Sequence, residues 1–221
     1  MCGRVRTPED FSEVTNGWQR FVNIFGDYKP RYNAPPTARL PIITLRDGTR
    51  TIEPGHWWFV PPWSKEIKTP FASFNAKCET FKESKLFAPA WKSGRTCVMI
   101  TSGFYEWRKA DKQPFAVALG NRQPMLMAGL YSDWTNRADG TTTRTFTILT
   151  TAASPGFLPV HDRQPVVLDD ADVGRWIGEE EGDRESLIRA LPIERLSLWP
   201  VGKAVGSVKN EGPELAEPIT L

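Results

Sequence analysis

The chain of 221 residues suits one large domain, and its 40 % hydrophobic and 24 % charged residues are an ordinary folded balance that argues against disorder. A net charge of +2 does not announce a nucleic-acid binder, the three cysteines form no CxxC pair or disulfide framework, and two histidines without HExxH spacing give no expectation of a metal site. No apolar run reaches the ~18 residues of a membrane span and the opening MCGRVRTPEDF lacks a hydrophobic leader, so the expected location is the cytoplasm, or the nucleus of a eukaryote.

In chain order, TPEDFSEVTNGWQRFVNIF reads as a first helix. Thr7 is its N-cap, Pro8 fits the first turn, and Phe11, Val14, Trp18, Phe21, Val22 and Phe25 recur at three- and four-residue spacing. Gly17 weakens it. LPIITL and TRTIE flank RDG, a hairpin signal. ETFKESKLFAPAW predicts a short helix, and TCVMI, FAVAL, PMLMAGLY, TFTILTT and QPVVL predict strands, with GNRQP turning between the second and third. DDADVGRWIG is a capped short helix and SLIRAL a weaker one. Regular βαβ alternation is missing. The expected fold is therefore α+β: a single domain over residues 1–221, with a curved, mainly antiparallel sheet, a barrel-like core and a few short helices.

Four stretches carry candidate chemistry. Removal of Met1 would make Cys2 the N-terminus, with a thiol and an α-amine on neighbouring carbons. The amine titrates near ~7.7–8.0, so a neutral fraction exists at pH 7 that can attack an aldehyde, after which the thiol closes a five-membered thiazolidine. A merely small, packed residue and a thiol-only nucleophile are the alternatives. SFNAKCET sets Asn75, Lys77 and Glu79 on alternate positions of an extended segment. SGFYEW holds Glu106 between Tyr105 and Trp107, a candidate general acid/base, and PVHDRQP holds His161 beside Asp162 and Arg163. Singly, a turn amide, a salt-bridged glutamate and a packed histidine explain these residues as well. Basic residues gather from Lys77 to Arg95 and acidic ones from Asp169 to Glu185, either a polyanion-binding side with its opposite or two solvated faces.

Together, MCGR, RYNAPPT, WWFVPPW, NAKCET, GFYEW, AGLYSDW, TILTTAA, HDRQP and PVGKAVGSVKNEGPEL occur in the order of the SOS response-associated peptidase (SRAP) family, which the chain resembles from residue 2 to about 218. The resemblance implies a DNA-damage protein that binds single-stranded DNA and captures abasic sites through a thiazolidine on Cys2. By the same resemblance Asn75 orients the reacting amine, Glu106 is the general acid/base, and His161 assists proton transfer and reversal. Arg4, Lys77, Lys85 and Arg163 are its implied phosphate contacts and Trp63 its stacking residue. No metal, cofactor or membrane partner is expected, and nothing in the sequence demands more than a monomer. The family name refers to removal of Met1, proposed to be self-catalysed. A peptidase acting on other polypeptides and a non-covalent single-strand DNA-binding module are the competing readings. Departures from the family pattern fall on Lys77, where arginine is usual, on Lys85, where some members have arginine, on Trp58 in place of glycine, and on Gln164.

Overall fold

The structure is a computed structural model and describes residues 2–221. Its elements are β1 (Val5–Arg6), α1 (Ser12–Thr15), β2 (Phe21–Asn23), β3 (Arg39–Arg46), β4 (Thr49–Trp57), β5 (Asn75–Lys77), α2 (Ala88–Lys92) and β6 (Thr96–Thr101). The chain continues with β7 (Gly103–Trp107), β8 (Pro114–Leu119), β9 (Met125–Thr135), β10 (Thr142–Ala152), β11 (Arg163–Pro165), β12 (Val167–Leu168), α3 (Val173–Ile177) and β13 (Leu196–Pro200). Strands dominate, as the runs of β-branched and aromatic residues require.

Five strands close on themselves. β4 pairs with β3, β3 with β6, β6 with β9 and β9 with β10, all antiparallel, and β10 returns to β4 in parallel through Thr145 and Phe146. Closure removes the unpaired edges that an open sheet would leave. Successive residues on these strands go to opposite sides: Ile42, Met99, Met127 and Ile148 join one core cluster, and Ile43, Val98, Ala128 and Leu149 the other. Each large side chain buried this way contributes ~1.5–3 kcal/mol. The second cluster is covered by Phe11 and Val14 near α1, by Ala90 of α2 and by Trp176 of α3.

The first cluster is shared with a smaller antiparallel sheet ordered β1-β7-β8-β13. Its inner face presents Val5, Phe104, Val117 and Leu119 to the barrel residues. Its outer face, with Tyr105 and Ala116, is covered by Val201, Val205 and Ala216 of the C-terminal segment. Inner and outer residues alternate along β7, so Glu106 shares the side of Phe104. The barrel-like, mainly antiparallel sheet and the few short helices agree with the expected fold class.

The hairpin reading holds in detail: Asp47 (φ 49) and Gly48 (φ 71) both take positive φ, the twist a two-residue antiparallel turn needs. The first helix is a correction. Only Ser12–Thr15 is helical, because Gly17 takes φ 85 and ends the run, and Phe21–Asn23 then pairs in parallel with β4. Thr7 is no N-cap: its hydroxyl accepts from the Arg31 N–H at 2.8 Å. QPVVL splits at Val166, whose N–H reaches Leu149 and whose carbonyl takes the Ala128 N–H, bridging β10 and β9. GNRQP joins strands of different sheets, and SLIRAL yields only a 3-10 turn over Glu185–Leu187. Among the described residues no helix is long and apolar enough to cross a membrane.

Candidate active site

Cys2 is fixed by its neighbours along the N-terminal strand. The Val5 N–H donates to Ala34 O (3.0 Å), Ala34 returns the bond to Val5 O (2.9 Å), and the Tyr105 N–H donates to Arg4 O (2.9 Å). The strand is thus held between β7 and the RYNAPPT segment, and Cys2 is 1 % exposed, in the cluster that holds Phe104, Phe157 and Val160. Met1, whose removal the aminothiol reading requires, lies outside the described residues.

β5 runs parallel to β10 with Asn75 opposite Ile148, and the Asn75 amide donates from Nδ2 to the Cys2 carbonyl at 2.8 Å. A carbonyl only accepts, which assigns the amide orientation and leaves Oδ1 buried without a protein partner. Glu106 is 5 % exposed, and its Oε1 accepts from the Trp107 N–H at 3.2 Å. Its charge bears on both the Cys2 thiol and the His161 ring. Burial pushes the Cys2 thiol well above the ordinary range and the Glu106 carboxylate pushes it further, so at neutral pH it is an S–H.

His161 Nδ1 accepts the Arg163 backbone N–H at 2.9 Å. The same nitrogen lies 3.0 Å from Asp162, a contact that is attractive only to a protonated ring. Burial lowers the His161 pKa, opposed by Glu106 and Asp162, so the neutral ring prevails near pH 7 with its proton on Nε2. Asp162 is itself paired with Lys109 at 2.8 Å. The four residues read from separate motifs are therefore gathered at one place by one direct bond, Asn75 to Cys2, and by the charge of Glu106 acting on both Cys2 and His161.

The expected DNA contacts divide into two groups. Lys77 and Lys85 are exposed, and Trp63, 62 % exposed, lines a pocket with Leu86 and Pro89, next in sequence to Lys85. Arg4 and Arg163 are engaged inside the protein. Arg4 Nη1 donates to Asn33 Oδ1 (2.8 Å) and Val205 O (2.7 Å), with its guanidinium 5.7 Å from the Trp107 ring. Arg163 pairs with Glu79 at 2.7 Å and donates to Thr150 O. The placing of Asn75, Lys77 and Glu79 on alternate positions of one extended segment is corrected accordingly: the strand ends at Lys77, and Glu79 sits in the turn beyond it, facing Arg163.

Sequence reasoning missed Asn33. Fully buried, it accepts from Arg4 and donates to Ser207 O and Asn210 O, both at 2.9 Å, tying the C-terminal segment to the N-terminal strand. Its only signal in the sequence is its place inside RYNAPPT. Gln164 is structural: Oε1 accepts the Ser154 N–H and Nε2 donates to Leu191 O, each at 2.8 Å. Trp58 donates to Thr69 Oγ1 (2.8 Å) and lies 5.6 Å from the Phe74 ring, beside Asn75. Among the described residues no group of His, Cys, Asp and Glu is arranged to hold a metal ion.

A family model described as SOS response associated peptidase (SRAP) matches residues 1–208. The abasic site processing protein YedK of Escherichia coli is 34 % identical, with 99 % of this chain and 100 % of that protein covered. The abasic site processing protein YoqW of Bacillus subtilis is 30 % identical over 98 % of this chain and 99 % of its own. A crystal structure of a protein from Bacteroides thetaiotaomicron superposes with a TM-score of 0.85, at 20 % identity, over 99 % of this chain and 100 % of that one, a likeness of fold.

Proposed function

The chain belongs to the SOS response associated peptidase (SRAP) family, and from that premise we propose that it processes abasic sites in DNA by capturing them covalently on Cys2. The observation that carries this reading is the hydrogen bond from Asn75 to the Cys2 carbonyl, beside a Glu106 whose charge reaches both the thiol and His161. The proposal requires that Met1 be removed first, whether by the protein itself or by another enzyme.

A ring-opened abasic sugar carries an aldehyde at C1′. The neutral α-amine of Cys2 adds to it, and the unpartnered Oδ1 of Asn75 is an acceptor for an N–H of that amine. Glu106 moves the proton from nitrogen to the carbinolamine oxygen, water leaves, and an imine remains. The sulfur then bonds to the imine carbon while the thiol proton passes to nitrogen. Aldehyde plus aminothiol gives thiazolidine plus water, with no change of oxidation state and no metal or cofactor in the steps. His161, its Nδ1 accepting the Arg163 N–H, is the proposed group for proton transfer in sugar opening and in reversal.

Single-stranded DNA is the proposed partner, because an aldehyde within a duplex could not reach a buried residue without unstacking. One chain suffices for the chemistry. Lys77, Lys85 and Trp63 are the proposed outer contacts to phosphate and base. The protonated thiol disfavours the second reading, hydrolysis of other polypeptides, since that needs a thiolate as first nucleophile.

The test is incubation with an abasic single-stranded oligonucleotide and then denaturing electrophoresis. A heat-stable crosslink should form with the parent and with Cys78→Ala and Cys97→Ala, and should be absent from Cys2→Ala, which still binds the strand. Full crosslinking by Cys2→Ala refutes the proposal.

A further inference from the structure

On the outer face of the small sheet, beyond the end of β7 away from Glu106, lies a pocket of about 580 Å³. Arg6, Arg122, Ser102, Ser197, Ala118 and Trp199 line it. Strand alternation sends Val5 inward and Arg6 outward, where the guanidinium sits 5.6 Å from the Tyr105 ring and 5.7 Å from the Trp199 ring. Arg4, its neighbour on the same face, has two short hydrogen bonds from Nη1. Arg6 does not. Its Nε, like that of Arg4, is buried without a partner, and its Nη2 makes only a 3.5 Å contact with Ser102 O.

Among the described residues no carboxylate acts on Arg6; burial lowers its pKa, opposed by Tyr105 alone, and it remains a cation. A desolvated cation with no counter-charge is an unfavourable arrangement unless a ligand completes it. A glycine lets Arg6 pack this closely on β7. Gly103 has φ 148, and a Cβ there would lie 2.5 Å from Arg6 Nη2 and 2.3 Å from Val117 O. Arg122, also on the pocket wall, occupies the left-handed region at φ 62 in the turn after β8, unusual for so large a side chain. Glu217, the carboxylate on the wall, is exposed at the surface. It repels a bare anion but accepts hydrogen bonds from a ligand that carries donors.

We propose that this pocket binds an organic phosphate with a planar body, of the nucleoside monophosphate class, its phosphate held by Arg6 and Arg122 and its planar part against Trp199. Guanidinium forks suit phosphate oxygens, and the two serine hydroxyls add donors at the same wall. The ligand is either a free nucleotide or the 5′-phosphorylated end of a DNA strand. The proposal does not depend on capture at Cys2.

The experiment is titration calorimetry of the full chain with deoxyadenosine 5′-monophosphate, deoxyadenosine, inorganic phosphate, and an undamaged oligonucleotide with and without a 5′-phosphate. The monophosphate should bind saturably below about 1 mM, deoxyadenosine and inorganic phosphate at least about tenfold more weakly. Arg6→Gln should weaken the monophosphate about tenfold and Arg122→Ala about threefold or more. Should Arg6→Gln fail to fold by circular dichroism, exposed Arg122→Ala decides. A gain from the 5′-phosphate that Arg122→Ala abolishes identifies a strand end, and binding of the mononucleotide alone identifies a free ligand. No saturation by any phosphate probe up to about 10 mM, equal binding of inorganic phosphate, or an unchanged Arg122→Ala overturns the proposal. Crosslinking at Cys2, scored on the same samples, should be unaffected by Arg122→Ala, so failure of one claim leaves the other intact.

Discussion

The side chain of Asn75 holds the backbone carbonyl of Cys2 at 2.8 Å across 73 positions of sequence. It leaves the thiol and the amine-bearing end of Cys2 unengaged by that bond, and its own Oδ1 open. An amide that both donates to the residue's carbonyl and accepts from its amine fixes the direction from which an aldehyde is met. Asn75→Asp, which keeps the shape and removes the donor, should slow single-turnover capture about 5- to 30-fold, the effect of losing one buried hydrogen bond. An unaltered rate would remove Asn75 from the positioning role.

Acid should destabilise the protein in a window set by its histidines. Burial lowers the folded pKa of both His161 and His56 below the free value of ~6.5. Between the two values the unfolded chain binds more protons, so stability is complete above ~6.5 and falls as pH drops toward each folded pKa. His161→Gln retains an acceptor for the Arg163 N–H but cannot titrate. Its melting temperature should fall less than the parent's between about pH 7.5 and 5.5, and a parallel fall contradicts the assignment.

Two glycines separate conformational from steric demand. Gly48 has φ 71 with nothing within 4 Å of an added Cβ, so Gly48→Ala should cost only ~1 kcal/mol of backbone strain. Gly129 lies where a Cβ would approach Thr147 O to 2.4 Å between paired strands, and Gly129→Ala should cost ~3 kcal/mol or more. Denaturant titrations of both variants check the order. Equal losses would contradict the close approach of β9 to β10.

The basic residues near the site should behave differently from one another. Lys77 is exposed, so Lys77→Ala should lower the slope of log K against log salt for single-stranded DNA by ~0.7 and leave stability unchanged. Arg163, tied to Glu79 and Thr150, should instead lose stability when changed to alanine. A Lys77→Ala protein with an unaltered salt slope removes that contact.

Much of this architecture was legible in the sequence where local chemistry decides it. Asp47-Gly48 between LPIITL and TRTIE announced the β3–β4 hairpin, because few residue pairs tolerate two positive φ values. The stripe from Phe11 to Phe25 misled, since three- and four-residue spacing also fits a helix turn with a strand behind it. Phe11 and Val14 are buried, yet Phe21 and Val22 are 40 % and 46 % exposed on β2. Cys2, Asn75, Glu106 and His161 were legible as motifs, while their meeting depends on strand pairing across the whole chain. Arg6 gave no signal at all. Its pocket exists only because Trp199 and the C-terminal segment return onto the outer face of β7.

Covalent capture by Cys2 is tested most directly by the intact mass of the abasic adduct after nuclease digestion. The expected species is a protein lacking Met1 that gains the sugar fragment less one water, with the fragment localised by peptide mapping to Cys2 through both nitrogen and sulfur. A crosslinked species that retains Met1, or an adduct on Cys78, Cys97 or a lysine, contradicts it.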